Sequence, residues 1–532
     1  MNFDFVIKIA MLVLFFGIMI GVGIYCRKNA TDVNGFVLGG RSVGPWLTAF
    51  AYGTSYFSAV IFIGYAGQFG WKFGIASTWI GIGNALIGSF LAWAILGRRT
   101  RIMTQHLNSA TMPEFFGKRF NSNGLKIGAS VITFIFLIPY TASLYNGLSR
   151  LFSKAFNIDY VWCIIAMSVL TGIYVIAGGY MATAINDFIQ GIIMIFGIVA
   201  VIAAVLMNQG GFMESLNGLA KVEDPSVSSA PGAFNSFFGP DPLNLLGVVI
   251  LTSLGTWGLP QMVQKFYAIK HERDIRKGMV ISTAFAVIVA GGCYFLGGFG
   301  RLFGEFVETD AKGGVVFDSI IPNMLENSHL PAILMAIVVI LVLSASMSTL
   351  SSLVIASSST LTIDLLKGTV IKKMNEKKQV LIIRIFVVVF IAISAFIAIY
   401  QVNSKNESVK FIAQLMGVSW GALAGAFLAP FLYGLYWKKT TKAACWASFI
   451  FGVGIMLFDL AIMVFKLFPD NNSFIMQILR SPINCGAFAM IAGLIIVPVV
   501  SLLTPKPNKQ FVDEAFACYE KKVPAAQKNS LD

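Results

Sequence analysis

The chain has 532 residues, 57% of them hydrophobic and 12% charged, and a formal net charge of +14. A soluble domain carries about a quarter charged residues, whereas here apolar runs of about 20 residues, each able to span the hydrocarbon core, recur along nearly the whole length. That excludes a soluble enzyme or nucleic-acid-binding domain and predicts an all-α polytopic membrane protein, with only 506–532 left over and too short to build a core.

Hydropathy predicts about 13 spans, near 4–26, 46–67, 73–97, 125–153, 159–181, 183–208, 243–267, 278–303, 331–365, 380–401, 408–437, 443–467 and 482–504. The first is too long for a secretory signal and lacks a cationic start and a small-residue cleavage site, so it reads as a span. The second contains AYGTSYFSA around Gly53, with polar residues at mid-membrane depth. The seventh contains LTSLGTWGLPQ, where Gly255, Gly258 and Pro260 are expected to break the helix. Gly and Pro are common in single membrane helices, but matched breaks five spans apart predict an inverted-repeat transporter with its site at the breaks.

On that frame the chain divides into an extra N-terminal helix and cytoplasmic loop (1–45), a first repeat (46–208), an extracellular loop (209–242), a second repeat (243–437), two C-terminal helices (438–505) and a cytoplasmic tail (506–532). The ten spans from 46–67 to 408–437 are numbered core helices 1 to 10. The loop 209–242 is enriched in Gly, Ser and Pro and reads as a lid or a connector.

The positive charge falls on one side. Arg27 to Arg41, Arg98 to Arg119, Lys265 to Lys277, Lys367 to Lys378 and Lys438 to Lys442 all lie in loops on the side of the tail, and the intervening loops are acidic or nearly neutral. The positive-inside rule makes the basic side cytoplasmic, with the N-terminus outside and the C-terminus inside a cell membrane. No disulfide framework or metal-spaced cluster is readable, and no nucleophile–base pair points to an enzyme.

Asp187 sits in GGYMATAINDFIQGIIMIFG, a few residues into a span. A carboxylate at the helix centre costs about 2.5–3.5 kcal/mol and is a functional signal by default; the alternative is a solvated residue near the interface. Core helix 8 carries SASMSTLSSLVIASSST, where Ser344, Ser348, Ser351, Ser352 and Ser359 share a face and Thr349 lies beside Ser348. Such hydroxyls back-bond to the preceding turn or glue helices together. They can equally replace the hydration shell of a hard cation, alongside carbonyls of a broken helix. No Lys or Arg lies near the middle of core helices 1, 5 or 8, so a bound Na⁺ is expected to balance Asp187.

The stretches VLGGRSVGPW, PYTASLYNGLSRLF, IAGGYMATAINDFIQ and SASMSTLSS, in that order, resemble the sodium:solute symporter family, nearest to its sodium/proline members. The resemblance implies a leucine-transporter-like fold of five-plus-five inverted repeats. It implies a first sodium site from the carbonyls of Thr54, Phe57 and Ala345 with the hydroxyls of Ser348 and Thr349. A second sodium site would use Asp187, Ser348, Ser351 and Ser352. Solute would lie at the breaks against Ser55, Tyr56, Ser58, Tyr140, Thr252, Thr256, Trp257 and Gln261. Proline carriers have an aspartate at the position of Tyr56 and two aromatics where Thr252 and Thr256 stand, so the pocket here is larger and wetter. In the sialic acid members the carboxylate-binding arginine falls near Tyr140.

The expected protein is a secondary active transporter, sodium-coupled, taking up a small organic solute such as a proline-like amino acid or another polar metabolite by alternating access. Its partners are sodium ions, the solute and the bilayer, with no nucleic acid and no organic cofactor, and it works as a monomer. The rivals are a proton-coupled carrier of the same fold and a transporter-like sensory module.

Overall fold

The structure is a computed structural model that describes residues 3–520 apart from 157–158, 226, 229, 310–312, 368–370, 372–373, 404–411 and 469–472. Lys372 and Lys373, residues 408–411 of the expected core helix 10 and 521–532 of the tail lie outside the described residues. Among the described residues, β pairing is confined to isolated bridges such as Val43 with Ile269. Ten helical runs are long and apolar enough to cross a membrane, and Pro242–Trp257 with Pro260–Ala268 forms an eleventh, bent by 43°.

Two of the ten, Val60–His106 and Tyr160–Asn208, hold 47 and 49 residues. Straight, each would be about 70 Å long, over twice the hydrocarbon thickness. Both turn at glycines in the left-handed region, Gly74 (φ 60°, ψ −141°) and Gly179 (φ 56°, ψ −148°). Splitting them there, and counting the bent pair as one, accounts for each span expected from hydropathy.

Core helix 8, Ala332–Ser359, is the centre of the molecule: every residue from Val338 to Ser359 is buried. It packs on Tyr160–Asn208, on Asn123–Phe156 and on Pro45–Tyr56. Its hydroxyls therefore face protein, not lipid, which is the only setting in which so polar a span is stable. The C-terminal helices Lys442–Phe465 and Pro482–Leu503 close on Ile412–Tyr436 through small residues. A Cβ on Gly421 would lie 2.9 Å from the Gly486 Cα, so backbones touch, as membrane helices do at glycine.

The basic loops gather on one face with the tail. Lys438 pairs with Asp513 at 2.8 Å, and the ring of His106 lies 3.0 Å from the Glu514 carbonyl. The Arg99 guanidinium stacks over Tyr436 and Tyr519 at 4.1 and 4.5 Å. Arg41 reaches the carbonyls of Ser109 and Tyr267 at 2.6 and 3.2 Å. On the loop 209–242, Arg301 donates to Asp224 at 3.0 Å and to the Trp71 carbonyl at 2.6 Å, with its guanidinium 3.7 Å from the Phe234 ring centre. Those contacts tie Asp224 and Phe234 of the loop to Arg301 and the end of Ala66–Phe73.

Gly179 tests the kinked run. Its φ is strained for any other residue, and a Cβ there would lie 2.9 Å from the Phe36 carbonyl oxygen. Gly179→Ala is expected to destabilise the purified protein by about 1–3 kcal/mol, read as a lower thermal unfolding midpoint.

Candidate functional site

Core helix 1 stops at Tyr56. Phe57 is extended (φ −83°, ψ 119°) and its amide closes the helix on Gly53, before winding resumes at Val60–Tyr65. The break turns the carbonyls of Thr54 and Phe57 toward core helix 8. There the Ser348 hydroxyl lies 3.1 Å from the carbonyls of both Thr54 and Ala345. The Thr349 hydroxyl lies 3.3 Å from the carbonyls of Thr54 and Phe57 and 3.1 Å from that of Ala345. The Thr54 hydroxyl is spent on Phe50, so only its carbonyl takes part.

All five oxygens expected of the first sodium site thus converge, and all five residues are at most 1% exposed. Two hydroxyl protons serve five oxygen–oxygen contacts, so the cluster is rich in lone pairs and short of positive charge. Hard cations of this size take oxygens at about 2.3–2.6 Å, which sets neighbouring ligands about 3.2–3.7 Å apart. The observed spacings, 3.1 to 3.3 Å, lie at or just below the short limit of that range, so the oxygens need to open by only a few tenths of an ångström, and the donor set fits an alkali cation.

The setting of Asp187 differs from expectation. It is fully buried, and its Oδ2 lies 3.7 Å from the ammonium of Lys265, itself 2% exposed. Lys265, placed by sequence in a cytoplasmic loop, instead belongs to Pro260–Ala268, the second half of core helix 6, in which every residue is buried. The positive charge opposite Asp187 therefore comes from core helix 6, outside the helices 1, 5 and 8 in which a counter-charge was sought. Lys265 also donates to the Ser352 hydroxyl at 2.9 Å, and that oxygen is 2.8 Å from the Ser55 hydroxyl. Of the remaining residues named for a second sodium site, Ser348 points its hydroxyl into the first site. Ser351 bonds the Ser348 carbonyl at 3.0 Å and lies toward Tyr174.

The break in core helix 6 falls where the sequence places it. Gly255–Trp257 tightens, Leu259 is extended (φ −84°, ψ 121°), and Pro260 starts the next helix with no amide to give. Gly258 is required by contact: a Cβ would lie 2.8 Å from the Ala424 Cα and 2.9 Å from the Leu428 nitrogen. This brings core helix 10 against the break, and its Trp420 packs between Tyr56 (5.8 Å) and Tyr140 (6.0 Å). The Tyr140 hydroxyl lies toward Trp420 and Ser58, and that of Tyr56 toward Thr252 and Tyr294.

Among the described residues, the hydroxyls of Tyr56, Ser58 and Tyr140, both amide atoms of Gln261 and the Trp420 indole nitrogen are buried with no hydrogen-bond partner. Other expected solute contacts are engaged. Ser55 joins Ser352, and Thr252 back-bonds to Val248 at 2.9 Å. Thr256 bonds the Gly88 carbonyl at 3.1 Å and that of Ser253 at 2.9 Å, and the Trp257 indole donates to Ile87 at 3.0 Å. Ser55, Thr256 and Trp257 thus hold helices together.

The family profile described as sodium:solute symporter matches residues 36–452. The chain belongs to that family. Curated relatives named sodium/proline symporter from Staphylococcus aureus strains JH9 and COL are each 30% identical over 511 residues, covering 94% of this chain and 93% of theirs. A solved structure of a Na⁺-coupled sialic acid symporter, substrate-bound and outward-open, superposes with a TM-score of 0.71 at 16% identity, covering 94% of this chain and 99% of that one. The fold is the leucine-transporter-like one, and this symporter is a multi-pass membrane protein that takes up solute with sodium and not an enzyme.

Two residues of the symporter's centre escaped the sequence. Trp420 is the single tryptophan in MGVSWGALAGAF, flanked by Ser419 and Gly421, a signal that a bulky side chain is held between small ones. Lys265 was hidden by proximity to Lys270, Arg273, Arg276 and Lys277 in the chain. Because the Tyr140 hydroxyl makes no hydrogen bond of good geometry and only lies near Trp420 and Ser58, Tyr140→Phe is expected to leave stability within about 0.5 kcal/mol, whereas Thr256→Val, which loses two contacts, costs about 1 kcal/mol. Thermal unfolding of the two variants side by side checks the division between free and structural polar groups.

Proposed function

We propose that this symporter carries one small polar organic solute, an amino acid of proline-like size or a larger polar metabolite, into the cell on Na⁺ held by Thr54, Phe57, Ala345, Ser348 and Thr349. The observation that carries the reading is the excess of buried oxygens over protons at the broken turn of core helix 1. A dehydrated cation satisfies that excess and ties core helix 1 to core helix 8.

The solute lies across the breaks, against Tyr56, Ser58, Tyr140, Gln261 and Trp420, whose free polar atoms are otherwise a desolvation cost without return. Aromatic faces with scattered hydroxyl and amide groups suit a compact zwitterion or hydroxylated metabolite; among these five residues there is no fixed charge to capture an anion. The two sites share the turn 54–58, so filling the sodium site orders the residues that touch solute. By linkage, sodium then raises solute affinity and solute raises sodium affinity by one factor. Transport follows as the helices rock around the fixed site. The association of the basic loops with the tail on one face supports the C-terminus inside and the N-terminus outside.

Sodium-stimulated thermal stabilisation across amino acids, monocarboxylates, sugars and sialic acid identifies the solute class. In proteoliposomes, Ser348→Ala or Thr349→Ala is expected to raise the half-saturating sodium concentration about tenfold or more, corresponding to one charge-assisted contact of about 1.5 kcal/mol. Unaltered sodium dependence in both variants would remove the site. Uptake that persists in choline and follows pH would instead identify a proton-coupled carrier.

A further inference from the structure

The Lys265–Asp187 pair lies where the family resemblance placed a second sodium ion, and it changes what that position can bind. Asp187 and Ser352, two of the four residues named for that ion, are the two groups nearest the Lys265 ammonium, at 3.7 and 2.9 Å. A third, Ser348, has its hydroxyl on the Thr54 and Ala345 carbonyls of the first site. The fourth, Ser351, is turned to its own helix backbone. What remains of the ligand set is already occupied by a positive charge.

We propose that the Lys265 ammonium is a tethered second cation, which permanently fills the Asp187–Ser352 position and limits this symporter to one sodium ion per chain. The inference rests on the sodium reading of the first site and deepens it.

The physical case has three parts. An ammonium and a sodium ion are both compact single positive charges that bind oxygen, so either satisfies a buried carboxylate and hydroxyl. They exclude one another, because a sodium ion at Asp187 would lie within a few ångströms of the Lys265 charge in a setting with almost no solvent to screen it. And the lysine, unlike a free ion, cannot leave: it is covalently tethered to a helix buried along its whole length, and its ammonium also lies over the Tyr180 ring, 5.1 Å from its centre. Among the described residues no other cation pairs with Asp187. The pair is also joined to the first site, since Ser352 contacts Ser55 and the Ser348 carbonyl (2.8 and 3.1 Å), the chain neighbours of Thr54 and Thr349. The tethered charge thus braces the same two helices that sodium joins.

Equilibrium binding of ²²Na⁺ to the purified full-length protein tests this without knowledge of the solute. The unmodified protein is expected to bind one ion per chain with a Hill coefficient of one. Lys265→Ala is expected to bind two with a Hill coefficient above one, and Lys265→Arg to keep one. Lys265→Ala with Asp187→Asn is expected to return to one. Two ions bound to the unmodified protein, one of them lost in Asp187→Asn, would overturn the proposal. So would Lys265→Ala that still binds a single ion, since the pair would then be an ordinary ion pair. Should Lys265→Ala not fold, the same count on Lys265→Met, which removes the charge and keeps the side chain's bulk, decides in its place. Absence of saturable sodium binding in the unmodified protein would defeat the first-site reading instead, so the two failures are distinguishable.

Discussion

The structure depends on one unmade turn. In lipid every backbone carbonyl must be satisfied within the protein, and the break after Tyr56 leaves those of Thr54 and Phe57 without a helical amide. Core helix 8 answers with two hydroxyls, Ser348 and Thr349. That answer dictates the rest: the helix that supplies the hydroxyls has to be enclosed on all sides, which is why Val338 to Ser359 is buried throughout and the more lipid-exposed spans lie outside it. It is also incomplete, because two protons cannot serve every lone pair directed at them. A cluster built short of positive charge favours a small cation on electrostatic grounds before any charged side chain is considered, which is the basis of the sodium reading proposed for it.

The polar centre is organised by single-residue offsets. Thr54 faces the Ser348–Thr349 pair, while Ser55, the next residue, faces Ser352, one helical turn further on. Tyr56 and Ser58 turn to Trp420 and Tyr140. Five consecutive residues, the last helical turn and the break after it, therefore reach the oxygen cluster, the aromatic pocket and, through Ser352, the Asp187–Lys265 pair. A shift of that segment by a fraction of a turn alters all three together. Such a shared element is the physical requirement for coupling, since each ligand must bias the same two-state structure.

Most of the scaffold was legible in the sequence because its signals are strong and local: span length, Gly258 and Pro260 at the second break, and hydroxyls on one face of core helix 8. The convergence of the Thr54, Phe57 and Ala345 carbonyls with the Ser348 and Thr349 hydroxyls was legible for the same reason, as free backbone carbonyls follow from where a helix stops. The solute pocket was read less well. Which way Thr256 or Trp257 points depends on where core helix 2 lies, and Ile87 and Gly88 are far away in sequence. Trp420 entered the centre through helix packing that no local pattern encodes. Lys265 was misread because a basic residue at the end of a span looks like a loop residue; only the burial of Pro260–Ala268 and the approach of core helix 5 separate it from Lys270.

The misreading matters because the identity of the charge beside Asp187 sets the driving force. Each sodium ion that crosses 100 mV contributes about 2.3 kcal/mol, enough for roughly fiftyfold accumulation of a neutral solute from voltage alone. A second ion would multiply that factor by itself, provided it is released on the inside. An ammonium anchored to core helix 6 contributes nothing to the gradient, since the same charge returns with the empty carrier. On the one-ion proposal Asp187 serves to hold core helices 5, 6 and 8 in register through Lys265 and Ser352, and coupling rests on the cluster of Thr54, Ser348 and Thr349 alone. A carrier of this kind gains solute with half the sodium influx of a two-ion design, at the cost of a lower accumulation limit, and the difference between the two designs lies in one side chain that enters from a helix outside the expected ligand set.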